Sequence, residues 1–234
     1  MEYCKSCVMP TSRPGYVLNT EGICNPCLFS VRKHKEIDWD KNLDEFVSLA
    51  STFKSDHNYD CIIPVSGGKD STYQVKKVLE YGLVPLCVNF ETTLFTSYGE
   101  RNLNALRGLG VDLVQIKRNP QIFKKLTLHT FKKLGSGQWP LFLGCYVAPV
   151  HVAIRYGVRL ILWGENPYLE YGDIYESDKR DNIDVYQVKS GRGGLNGYKY
   201  SDLLKDGFKE KDLMLYRWPD QIVIDKMKLK ALFL

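Results

Sequence analysis

The chain has 234 residues, of which 44% are hydrophobic and 25% charged, a balance that excludes a disordered chain and suits one large globular domain with a small appendage. Its formal net charge of +5 fits an anionic substrate but falls short of the strongly basic balance of a dedicated nucleic-acid binder. No stretch of about eighteen apolar residues is present, and Met1-Glu2-Tyr3-Cys4-Lys5 lacks the basic and apolar blocks of a secretory signal, so a cytoplasmic location with reduced cysteines is expected.

Residues 1–45 carry two Cys-x-x-Cys pairs, Cys4 with Cys7 and Cys24 with Cys27, separated by sixteen residues. Pro10, Pro14, Gly15 and Gly22 lie between them, and no apolar pattern of helix length runs through the segment, which reads as a loop-rich module. Such a segment has no core of its own, and four thiolates on two tight turns can close a tetrahedral zinc site. Four protein ligands leave no open coordination position, so the expected role of this zinc is structural; an iron–sulfur cluster is the rival for the same ligands. Asn42 to Lys54 then places Leu43, Phe46, Val47, Leu49 and Ala50 at helical spacing, a connecting helix into a second domain over 46–234.

In that domain apolar runs alternate with helical patterns. Strands are expected at Tyr59 to Val65, Leu83 to Phe90, Val111 to Ile116 and Val158 to Trp163. Helices are expected at Asp70 to Tyr81 (ending at Gly82), Tyr98 to Gly108, Pro120 to Leu134 and Tyr146 to Tyr156. The alternation predicts a parallel sheet covered on both faces, with ligands at the carboxyl ends of the strands. After Trp163 the pattern weakens into a glycine-rich stretch at Ser190 to Gly197, then helical patches at Tyr200 to Leu204 and Asp212 to Leu215. The final run Leu229 to Leu234 is apolar with no polar tail, which reads as a domain lacking a C-terminal portion.

Between the first strand and its helix stands Ser66-Gly67-Gly68-Lys69-Asp70-Ser71-Thr72. Two glycines let backbone N–H groups crowd around phosphate oxygens, and the helix N-terminus adds a favourable dipole. Ser66, Ser71 and Thr72 can donate hydroxyl hydrogen bonds, Lys69 supplies positive charge, and Asp70 can start the helix or position magnesium. The spacing is not that of a Walker loop.

Ser66 to Ser71 resembles the pyrophosphate-binding loop of the PP-loop ATPases. That resemblance implies an α/β parallel-sheet fold, Rossmann-like and of the adenine nucleotide alpha hydrolase type, here behind a small N-terminal Cys4 module. It also implies that the loop holds the β- and γ-phosphates of ATP with Mg2+ while AMP passes to a carbonyl oxygen. Cys4 to Gly15, Glu21 to Cys27 and Gly164 to Gly172 together resemble the bacterial N-acetyl sugar amidotransferases, over residues 1 to about 175. These make acetamidino sugars for surface glycans such as lipopolysaccharide O-antigen. Implied in turn are an N-acetylated sugar substrate, adenylation of its acetamido oxygen and displacement by ammonia. A glutaminase and an ammonia-channelling, synthase-like subunit are the implied partners. Lys69, Asp70, Glu165 and Glu170 then stand as catalytic candidates. Ser66 to Thr72, Val88, Phe90, Gly164 and Asn166 stand as nucleotide contacts, with Val88 and Phe90 reaching adenine through their backbone. Family chains are longer, which accords with a missing C-terminal portion.

Other residues read as ordinary structure. Cys61 and Cys87 lie within strands as core thiols, and His151 beside Pro149 reads as a packing residue. Lys117, Arg118, Lys124, Lys125, Lys132 and Lys133 read as a solvated basic helix face, with a nucleotide-sugar diphosphate or RNA as the functional alternative. Cys145 reads as a buried apolar cysteine. The competing function is a tRNA-thiolating PP-loop enzyme, which needs a reactive Cys145 and a basic RNA face. A third reading is a non-catalytic subunit that binds zinc and nucleotide.

Overall fold

The computed structural model describes residues 1–12, 15–92, 96–164 and 195–234. Glu165, Asn166 and Glu170 lie outside them. Two helices, α1 (Asn25–Lys35) and α2 (Trp39–Ser51), precede the sheet. The sheet itself comprises β1 (Cys61–Pro64), β2 (Pro85–Phe90), β3 (Asp112–Ile116), β4 (Leu160–Trp163) and β5 (Lys230–Phe233). All five strands are parallel, in the order β3-β2-β1-β4-β5, so the expected α/β parallel sheet is formed. Helices α3 (Lys69–Glu80) and α4 (Ser97–Arg107) lead outward from β1 to β2 and β3. Helices α5 (Pro120–Leu134) and α6 (Trp139–Tyr156) then carry the chain back past β1 to β4. The strand order therefore reverses between β1 and β4, and the carboxyl ends of these two strands frame the crevice where ligands of such sheets bind.

Alternate strand residues supply two apolar faces. Cys61, Ile63, Cys87, Leu160 and Leu162 pack with Val75 and Val78 of α3 and Leu103 and Leu106 of α4. Ile62, Leu86, Val88 and Ile161 pack with Val150, Val152 and Ala153 of α6 and Ile224 of a late helix. Because both faces are apolar, polarity alone cannot fix strand register. A polar group at the strand entrance helps: buried Asp60 accepts N–H bonds from Ser55 at 2.8 Å and Val84 at 2.7 Å, setting the starts of β1 and β2 side by side.

Two helix starts differ from the sequence expectation for one shared reason. The module contains a helix, α1, beginning just after Cys24 with Pro26 in its first turn. Likewise α6 begins at Trp139, with Pro140 in its first turn, and not at Tyr146. A proline there gives up an N–H that has no helical partner in any case, so it is well placed to start a helix. Helix α2 runs through residue 45, and its Phe46, Leu49 and Ala50 pack on the sheet core. The Leu229 to Leu234 run holds β5, which pairs with β4 from Leu160↔Lys230 to Trp163↔Phe233, with Ala231 and Leu232 buried.

Past residue 194 come α7 (Tyr200–Lys205), two short 3-10 turns at Glu210–Asp212 and Met214–Tyr216, and α8 (Gln221–Met227). Asp206 clasps this stretch to α5. Its carboxylate accepts from Lys133 at 2.6 Å and lies 2.9 Å from His129 Nε2, and it also accepts from the Tyr198 hydroxyl. His151 is exposed, and its Nε2 is 2.8 Å from the Arg217 carbonyl, so it ties α6 to the same stretch and is not a packing residue.

Candidate active site and metal centre

β1 delivers Ser66, Gly67 and Gly68 to the open crevice, and α3 begins at Lys69. Gly67 has φ +79°, a left-handed conformation that only glycine adopts without strain, and an added Cβ would sit 3.2 Å from two Leu103 carbons. The hydroxyls of Ser71 and Thr72 both donate to the Gly68 carbonyl, at 3.1 and 2.9 Å, and Gly68 N–H donates to Ser66 Oγ at 3.2 Å. The N-cap, Gly68, has no side chain to cap the start of α3, so this helix end presents backbone N–H groups and the positive end of a helix dipole, as an anion requires. Lys69 and Asp70 are largely exposed and pair at 2.5 Å. In short, Ser66 to Thr72 are brought together on one turn.

The other lip of the crevice is Gly164, directly after β4. Buried Gln74 of α3, which sequence reasoning missed, reaches across to it. Its Nε2 donates to the Leu162 carbonyl at 3.0 Å, while its Oε1 has no hydrogen-bond partner and would stand 2.9 Å from a Cβ on Gly164. Gly164 is therefore needed where it is because α3 comes this close. A buried polar residue on an otherwise apolar helix face was the available signal.

At the end of β2 the two expected nucleotide contacts differ. The Val88 carbonyl accepts from Val65 N–H at 2.8 Å, and its side chain is buried, because β2 is flanked on both sides within the sheet. Phe90 turns its ring onto Gly144 of α6, where a Cβ would lie 2.2 Å from Phe90 Cε1. Between them, buried Asn89 donates to the Val65 carbonyl at 2.7 Å and so braces the entry to the phosphate loop. Cys61 and Cys87 are buried core thiols, as expected. The Cys145 thiol is pushed up to about 11, chiefly by burial, with the Arg118 charge opposing; it is protonated at neutral pH.

The four N-terminal sulfurs lie within 4.8 Å of one another. Cys4 and Cys27 Sγ are 4.0 Å apart and Cys7 and Cys24 Sγ 3.6 Å. A tetrahedral ion with metal–sulfur bonds of about 2.3 Å spaces its ligands by roughly 3.8 Å, so the set fits one tetrahedral ion; a multi-iron cluster holds its thiolates farther apart. Backbone N–H groups of Ser6 and Cys24 point at Cys4 Sγ, at 3.4 and 3.2 Å. Burial raises the Cys4 thiol, but hydrogen bonds from the Cys7, Cys24 and Ser6 backbone outweigh it and bring it down to about 6. Burial pushes Cys24 up to about 12. A cation among them is what lets all four become thiolates together.

Among the described residues no helix is long and apolar enough to cross a membrane. No family model matches the chain. Over 120 residues it is 32% identical to the uncharacterized protein MJ1599 of Methanocaldococcus jannaschii, a match covering 50% of this chain and 43% of that protein, so the chain spans less than half the length of this relative. Among solved structures it is similar in part to NMN synthetase from Francisella tularensis, with TM-score 0.40 and 14% identity over 61% of this chain and 55% of that one. It is similar also to NH3-dependent NAD synthetase from Campylobacter jejuni, with TM-score 0.43 and 13% identity over 82% and 93%. A predicted subunit of tRNA methyltransferase from Methanocaldococcus jannaschii gives TM-score 0.38 and 11% identity over 74% and 66%.

Proposed function

We propose that this chain is an ATP-dependent, AMP-forming amidotransferase of the PP-loop type that acts on an N-acetylated sugar. The observation that carries the reading is the placement of Ser66 to Thr72 at the carboxyl end of the central strand, beside the reversal of strand order, with the start of α3 uncapped. An amide carbonyl is a poor electrophile, and ATP supplies the activation by turning its oxygen into a phosphoester leaving group that ammonia then displaces. The chain's part is to bind and position. Backbone N–H groups at the start of α3 hold the β- and γ-phosphates, Lys69 offsets their charge, and Asp70 orients Mg2+ once its pairing with Lys69 opens. Gly164 leaves room for the nucleotide between β1 and β4. Asn166 is assigned to the nucleotide, and Glu165 and Glu170 to orienting ammonia or taking its proton. Val88 and Phe90 shape the adenine end, Phe90 by its position more than by its backbone.

The Cys4 centre is assigned a structural zinc, held by Cys4, Cys7, Cys24 and Cys27, with no part in the reaction. Ammonia is assigned to a glutaminase and a synthase-like channelling partner, and the work to the cytoplasm, where surface-glycan precursors such as those of O-antigen are built. Against tRNA thiolation stands the Cys145 thiol: burial keeps it protonated, whereas a sulfur carrier works as a thiolate.

The test is incubation with ATP, Mg2+, an ammonium salt and nucleotide- or lipid-linked N-acetyl sugars, followed by mass spectrometry. Expected are AMP and a sugar lighter by the difference between O and NH. AMP formed with tRNA and with no sugar would falsify the assignment, and Cys145→Ala is expected to leave amidine formation intact.

A further inference from the structure

Arg118 lies two residues past β3, at the same carboxyl edge of the sheet as the phosphate loop. Its guanidinium stacks on the Phe123 ring of α5, 3.8 Å from the centroid, and stands 5.9 Å from that of Phe90. One arm donates to the Glu91 carbonyl just past β2. Its Nε is buried without a hydrogen-bond partner, and among the described residues no carboxylate pairs with it. Tyr216, 2% exposed, meets the Phe90 ring edge-on at 6.0 Å, and its hydroxyl is likewise buried without a partner.

A buried donor left unmatched costs about 1–3 kcal/mol, and here two of them flank one aromatic ring, beside a positive charge. Arg118 is itself only half-buried, so the cluster lies just beneath the surface, its two unmatched donors covered and part of the guanidinium side chain exposed. Its charge reaches both the Tyr216 hydroxyl and the Cys145 thiol, and since burial keeps that thiol neutral, no fixed negative charge from it competes. Apart from the Glu91 carbonyl, which already takes one arm of the guanidinium, the cluster offers guanidinium N–H, phenolic O–H and a positive charge, a donor set that an oxyanion satisfies.

We propose that Arg118 and Tyr216 form a second anion-binding pocket, on the α5–α6 side of the β2 terminus, which holds a phosphate or carboxylate carried by the acceptor substrate. This rests on the reading of Ser66 to Thr72 as the ATP site, because it places the acceptor across the strand ends from that loop. An anchored charge remote from the acetamido group is how a weak electrophile is held in line for adenylation. The acceptor is then a phosphorylated, nucleotide-linked or uronic sugar and not a neutral one.

The test uses the full chain and calorimetry without ATP, with three probes: UDP-N-acetylglucosamine, an N-acetylated amino-uronic acid and neutral N-acetylglucosamine. At least one charged probe is expected to bind, with the neutral sugar at least about tenfold weaker, and the preferred charged probe tells phosphate from carboxylate. Tyr216→Phe keeps the ring and its packing, and Arg118→Lys keeps the charge without the fork. Each is expected to weaken the charged probe by about tenfold or more with ATP affinity, titrated separately, unchanged. Equal binding by both variants and the unaltered chain, equal binding of neutral and charged sugars, or no binding of any probe overturns the pocket. Failure of the ATP assignment reads out separately, as absent ATP binding in that second titration.

Discussion

Asp60 is a carboxylate in an apolar setting whose two oxygens each accept a backbone N–H, from Ser55 and Val84. Asp60→Ala orphans both donors, and a loss of about 2–3 kcal/mol is expected, read as a lower urea midpoint with an unchanged slope; Asp60→Asn, which keeps one acceptor, is expected to lie between. Gly144 is a packing requirement: with a Cβ 2.2 Å from Phe90 Cε1, Gly144→Ala forces the ring aside at about 1–3 kcal/mol, visible as a fall in melting temperature. Asp206 carries a pH dependence. Hydrogen bonds from Lys133 first, then Tyr198 and His129, hold its carboxyl well below the usual carboxylate range. A folded-state value below the unfolded one means that the contribution to stability is present above the ordinary carboxylate range and is lost as pH falls through and below it. Asp206→Asn is therefore expected to flatten the acid limb of the stability curve and to leave its alkaline limb in place.

The turn from β1 into α3 joins a left-handed glycine to an uncapped helix start, and each needs the other. Gly67 swings the chain so that the first N–H groups of α3 look into the crevice, and Leu103 of α4 closes behind it. Gly67→Ala is expected to cost ATP affinity beyond the roughly 1 kcal/mol of left-handed strain, because the Cβ also meets Leu103. Gly110→Ala has a comparable φ of +86° with nothing within 4 Å and serves as the control: similar strain, ATP affinity retained. Titration of the two variants with a nonhydrolysable ATP analogue decides whether close packing around the loop matters to its grip. The helices missed at Pro26 and Pro140 teach the complementary point, since the same residue type ends a helix in its interior and opens one in its first turn.

The molecule joins parts held by different forces. The sheet and its helices are held by two apolar faces, whereas α1 buries none of its residues, and among the described residues of the first 36 only Cys4 and Cys24 are buried. The module is therefore expected to depend on a bound metal for its fold, and the sheet is not. One zinc per chain is expected by elemental analysis, with the ion lost in Cys24→Ser. Chelation is expected to speed amide exchange through α1 and the Cys4 and Cys24 turns while β1, β2 and β4 keep their protection. Equal loss of protection in the sheet would mean that the module is part of the main folding unit.

Strand and helix alternation, the Cys-x-x-Cys spacing and the Ser66 to Thr72 run were legible along the chain because each depends on neighbours in sequence: period, turn chemistry, ligand spacing. Gln74, Asn89, Gly144 and the pair Arg118 and Tyr216 were not, because what matters about them is a partner far away. Gln74 meets β4, Gly144 meets the Phe90 ring, and Tyr216 lies 98 residues from Arg118. A basic residue at position 118 looks like any other on a solvated helix until the fold stacks it on Phe123 and buries its Nε. The terminal apolar run shows the same division: its composition is plain in the sequence, but only the fold shows that it pairs with β4. Local chemistry is written locally, and burial is a property of the packed chain.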